Sequence, residues 1–135
     1  MKFDAQDIAA RQTELTAQWH QVTPAATGAG FGRLLEENHL RNFSLWHEED
    51  IARSPTANDV KIAKVKRAID KLNQQRNDMI EKLDAAITEL LTKLHSRPAD
   101  GATINTETVG SAIDRLSIMS LRLYHYREQL DRDDA

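Results

Sequence analysis

Apolar residues recur along this chain at the three- and four-residue spacing of helices that bury one face, and nowhere at the alternation of strands. Ile8, Leu15, Trp19 and Val22 share the first such face. Asp4 precedes it as an N-cap, its carboxylate able to accept amide hydrogens of the first turn. The pattern predicts a helix over residues 4–22, ended by Pro24 and the Thr27-Gly28-Ala29-Gly30 loop. A second helix is predicted over 31–53 and stopped at Ser54-Pro55, because a residue before proline is pushed out of the α region.

The third helix starts in the capping-box-like stretch Thr56 to Asp59 and runs to His95. Its stripe passes through Ile62, Val65, Ile69, Leu72, Met79, Leu83, Ile87, Leu90 and Leu94. Such a helix is ~58 Å long at ~1.5 Å per residue, whereas a domain of this size has a radius of gyration of ~14 Å. It must bend, or project past its neighbours and pack against another subunit; a homodimer or higher homo-oligomer is expected. After the loop Arg97–Gly101, Asn105 or Thr106 caps a fourth helix with the stripe Val109, Ile113, Leu116, Met119 and Leu123. The expected fold is all-α: one domain over residues 1–135, an antiparallel bundle of about four helices with one very long helix, about 58–95.

Composition narrows the chemistry. Cysteine is absent, which removes disulfides, thiolate metal sites and a cysteine nucleophile. The net charge of −3 gives no reason to expect a nucleic-acid partner. The N-terminus is polar and no apolar run approaches the ~20 residues of a membrane span, so a cytoplasmic protein without membrane contact is expected. Gly28-Ala29-Gly30-Phe31-Gly32 is no dinucleotide fingerprint, since its third spacing is wrong and no strand precedes it.

What stands out is the density of ionisable residues on faces that should turn inward. Phe43, His47 and Asp50 share a face of the second helix, next to Trp46 and Arg53. A histidine three residues before a carboxylate can ligate a divalent metal or orient an imidazole for acid–base work. The plainer reading pairs Asp50 with Arg53. In the third helix Arg76 interrupts the apolar stripe itself, flanked by Asp70, Asn73 and Asn77. A guanidinium on a core-facing side needs a carboxylate or ligand, because an unpaired buried charge is costly. Glu81 and Asp84 form a pair of a kind that binds Mg²⁺ or Mn²⁺, but the spacing is common by chance and a solvated face is the better reading. In the fourth helix Asp114, Ile118, Leu121 and His125 lie on one stripe. His20, His39 and His95 have no partner in sequence and read as surface or boundary residues.

Charge is segregated. Residues 36–50 hold five acids and one base, and residues 59–78 hold six bases and three acids. The two helices are complementary neighbours, or the walls of one pocket.

Three segments together resemble a known family. They are Trp46-His47-Glu48-Glu49-Asp50-Ile51-Ala52-Arg53; Lys66-Arg67-Ala68-Ile69-Asp70 with Asn73-Gln74-Gln75-Arg76-Asn77-Asp78; and Ile104-Asn105-Thr106-Glu107 with Asp114-Arg115-Leu116-Ser117-Ile118 and Tyr124-His125. In this order, over roughly residues 34–127, they resemble the bacterial family of unknown function DUF4254. The resemblance implies a small helical cytoplasmic protein and supplies no activity. Members carry an apolar residue where Glu48 stands, which leaves His47, Glu49 and Asp50 as the better candidates.

Two functions fit these residues. One is an enzyme or small-ligand-binding protein with a site between the second, third and fourth helices. His47, Glu49, Asp50 and His125 would do acid–base work or hold a divalent metal, though no cofactor is required. Asn73, Arg76, Asp70, Arg53 and Asp114 would hold a small anionic ligand. The other is a non-catalytic homo-oligomeric bundle whose buried polar network fixes helix register.

Overall fold

The helices are α1 (Ala5–Trp19), α2 (Gly30–Arg53), α3 (Asp59–Lys93) and α4 (Val109–Leu130) in a computed structural model that describes residues 4–94 and 107–131. Three begin with a side-chain cap. Asp4 accepts the Asp7 amide hydrogen at 2.8 Å, Asn58 that of Lys61 at 2.8 Å, and Thr108 that of Ser111 at 3.1 Å. Gly30 opens α2 with a φ of 58°, a left-handed conformation that suits glycine. Some ends differ from the sequence expectation. α1 stops at Trp19, because the His20 amide turns back onto the carbonyls of Ala17 and Gln18, and Val22 is exposed. α3 is capped by Asn58 and not by Thr56, whose hydroxyl is engaged by Ser54 at 2.9 Å. His95, Asn105 and Thr106 lie outside the described residues; the cap of α4 is Thr108.

Two apolar clusters fix how the helices lie. Ile8, Leu35, Leu83 and Ile113 form one; Leu15, Trp19, Phe43 and Leu121 form the other. Moving from the first cluster to the second, residue numbers rise in α1, α2 and α4 together. α3 goes the other way, with Asp84 beside Gly110 and Arg76 beside Asp114. The antiparallel packing expected from sequence therefore describes α3 against α2 and α4, while α1, α2 and α4 point in one direction. The segment joining α1 to α2 runs back along the bundle to make this possible. It is held near its end by Glu36, which accepts the Gly28 amide at 2.6 Å and Arg11 Nη2 at 2.6 Å.

The most extensive helix pairing is α2 with α3, the pair of opposite charge. α3 buries Val65, Met79 and Leu83, but its stripe outruns its neighbours: Leu90 is 45 % exposed, Leu91 46 % and Leu94 64 %. No described helix is long and apolar enough to cross a membrane.

Candidate functional site

Apart from Glu36, the buried polar residues of the described interior gather in a network around Asp114. Arg76 reaches across from α3 and clasps that carboxylate through Nε and Nη2 at 2.5–3.1 Å. Asn38 and Asn42 of α2 donate to Asp114 Oδ1 at 3.1 and 3.0 Å. Burial alone would raise the Asp114 carboxyl, but the hydrogen bonds from Arg76, Asn42 and Asn38 outweigh it and hold it below the usual carboxylate value. The hydrogen bond to Asp114, with the charge of that carboxylate, raises the Arg76 guanidinium against its partial burial.

From Asn42 the network continues to α1. Asn42 also donates to Ser117 Oγ at 3.0 Å, Ser117 lies 2.6 Å from His39 Nδ1, and His39 Nε2 lies 2.8 Å from Thr16 Oγ1. The Thr16 hydroxyl hydrogen is committed to the Gln12 carbonyl at 2.8 Å. Thr16 must therefore accept from Nε2–H, so Nδ1 is bare and accepts from Ser117. Every hydrogen in this chain points the same way, from Asn42 to Gln12. His39, expected at the surface, is fully buried, and burial pushes its imidazole down to about 4. The Asn38 Oδ1 atom is buried without a partner.

The second feature is an open cleft where α1, α2 and α4 end together. A volume of about 470 Å³ is lined by His20, Trp46, His47, Asp50, Arg53, His125, Glu128 and Gln129. His20 lies 5.7 Å from His47 and 5.8 Å from His125 between ring centroids. His20 stacks on Tyr124 at 4.5 Å, and His125 lies flat on Trp46 at 4.5 Å with 2° between the planes. The His20 Nδ1 atom sits 2.7 Å from the Thr16 carbonyl. In the neutral ring Nδ1 must carry the hydrogen, which leaves Nε2 as the basic nitrogen. Burial lowers the His125 imidazole; His20 and His47 add to this, while Glu128 and Asp50 oppose it.

A third region adjoins the second. About 180 Å³ lies between Asn42, Leu45, Trp46, Glu49, Asn73, Arg76, Ile118, Leu121 and Arg122. Trp46 is a wall of both clefts.

The residues singled out in the sequence thus fall into two groups. His47, Asp50, Arg53 and His125 line the histidine cleft, with Asp50 and Arg53 paired at 3.0 Å. Glu49, Asn73 and Arg76 line the smaller cleft, and Asp114 lies beneath it in the buried network. Asp70 is exposed on α3 and lines neither. Asp84 accepts the Gly110 amide at 2.8 Å. Among the described residues no group of three or more histidines and carboxylates is arranged to hold a metal ion. Sequence reasoning missed His20 and His39. A histidine at the C-terminal end of an amphipathic helix was the only available signal for His20; nothing near His39 in sequence marks it.

The family model for DUF4254, described as a protein of unknown function, matches residues 32–135. The chain belongs to the DUF4254 family. No curated protein and no solved structure matches it. Of the three DUF4254-like segments, the first brings His47, Glu49, Asp50 and Arg53 to the two clefts, the second brings Asn73 and Arg76 to the smaller one, and the third supplies Asp114 and His125. The match begins inside α2, so Gln12, Thr16 and His20, which α1 contributes to the network and the cleft, precede the matched region.

Proposed function

We propose that this DUF4254 protein binds a small anionic ligand in the histidine cleft and moves a proton on it. The observation that supports this best is the convergence of His20, His47 and His125 from three helices on one open cleft. An imidazole changes charge near neutral pH, and one oriented by a carbonyl, as His20 is, presents a defined basic nitrogen. Arg53 supplies a cation for the ligand's anionic group. Asp50 and Glu128 are the carboxylates that steady a protonated imidazole. The buried Asp114 network is the frame that holds α2 and α4 at the register bringing His47 and His125 together.

The test uses inorganic phosphate and malonate as probes, read on the imidazole carbon-bound proton signals. Saturable shifts of the His20, His47 and His125 signals are expected with each probe. They should vanish in a His47→Ala, His125→Ala double variant that keeps its helical circular dichroism. Silence of all three imidazoles with both probes would overturn the proposal.

A second reading is a non-catalytic homo-oligomeric bundle. It draws support from the hydrogen bonds that Arg76, Asn38 and Asn42 give Asp114, which suit a register device, and from the overhang of α3. Self-association through that overhang is compatible with either reading, and we propose it in both.

A further inference from the structure

We infer that the smaller cleft is a second binding site, separate from the histidine cleft, for a zwitterion carrying a carboxylate and a protonated amine; a small aliphatic α-amino acid is the simplest member of the class. Asp114 occupies the Nε and Nη2 edge of Arg76, whereas Nη1 bonds to no described residue. The side chain keeps 29 % of its surface exposed, and it lines the cleft. A guanidinium anchored on one edge and open on another is a preorganised donor for a carboxylate, since its orientation is fixed before the ligand arrives.

Arg122 brings a second guanidinium to the same cleft from α4. It forms no hydrogen bond or ion pair with a described residue, so its donors are available. Glu49 of α2, an exposed carboxylate whose charge favours the Arg76 cation, lines the same cleft. With Asp114 and Glu49 against Arg76 and Arg122, the formal charges cancel. A simple anion would meet Glu49 and be repelled; a ligand with both charges satisfies both walls. Asn73 adds an amide at the rim, and Ile118 offers an apolar surface for a short aliphatic side chain. The volume, about 180 Å³, is about six times the ~30 Å³ share of a liquid water, which suits a ligand of amino-acid size.

The experiment follows the indole N–H signal of Trp46, which walls this cleft, as L-alanine, propionate or ethylamine is added to the full chain. L-alanine should give a saturable shift at millimolar concentration. Propionate and ethylamine, each half of the zwitterion, should bind about tenfold more weakly or worse. Arg122→Ala and Glu49→Gln, both at exposed positions, should each weaken alanine by about tenfold and leave the melting temperature unchanged. His47→Ala, which disables the other cleft, should leave it intact. The inference is overturned if alanine gives no saturable shift, if propionate matches it, or if both variants bind it as the wild type does.

Discussion

A histidine with no exposed surface has to stay neutral, and the consequence is measurable in acid. His39 is held at about 4 in the folded chain, against ~6.5 in an unfolded one. Between those values the unfolded state binds a proton that the folded state does not, so stability falls as pH drops through that window. The full loss is on the order of 3 kcal/mol at ~1.4 kcal/mol per unit. Urea titrations from pH 7 to pH 4 should show it, and His39→Gln should remove most of that slope while lowering stability at pH 7. Asp114 acts in a different window. Its lowered carboxyl contributes stability that is present above the ordinary carboxylate value and is lost only as pH falls further, through its own. Removing its cation by Arg76→Ala should cost about 3 kcal/mol, toward the lower end of the ~3–5 kcal/mol for a broken buried pair, since Asn38 and Asn42 remain. Chemical denaturation measures this directly. Arg76 could be read from the sequence because it interrupts an apolar stripe. His39 could not, because its partners Thr16 and Ser117 lie 23 and 78 residues away and periodicity carries no pairing information.

Among the elements, α3 and the first turn of α4 approach closely at Gly110. A methyl group on Gly110 would come within 2.7 Å of the Ile80 carbonyl oxygen and within 2.7 Å of Asp84 Oδ1. The carbonyl belongs to a helix backbone and cannot step aside. Gly110→Ala should therefore push α4 off α3 and destabilise by roughly 1–3 kcal/mol, the range for overpacking, with the loss read as a lower melting temperature. Asp84 there serves a local purpose, taking an amide hydrogen that the start of a helix leaves free. The sequence suggested a carboxylate pair on α3 but held no sign of Gly110 as its partner. Helix number was legible from apolar spacing and caps, and the helix ends to within about three residues, with the α1 end and the α3 and α4 caps displaced. Helix direction was not: the segment between α1 and α2 is long enough to turn back as a hairpin or to run the length of the bundle, and both leave the same stripes buried.

At the scale of the molecule, α3 exceeds what the other helices can cover. Leu91 and Leu94 stand exposed past the groove of about 530 Å³ formed by Phe31, Leu34 and Leu90 among others. A second copy whose own α3 overhangs in the same way would bury both sets, since a two-fold contact uses the same patch twice. Light scattering should give about twice the 15.3 kDa chain mass, and Leu91→Glu with Leu94→Glu should return a monomer; wild-type monomer at micromolar concentration would refute the association. The shared direction of α1 and α4 has another consequence, for synthesis on the ribosome. Gln12 bonds to the carbonyl of Ile113, 101 residues later, and accepts from Ser120, 108 residues later. During translation α1 emerges first, yet the helix it packs against most is made some hundred residues afterwards. Its apolar face must wait in the open for seconds at ~5–20 residues per second, exposed to chaperones or to neighbouring nascent chains, before the bundle can close.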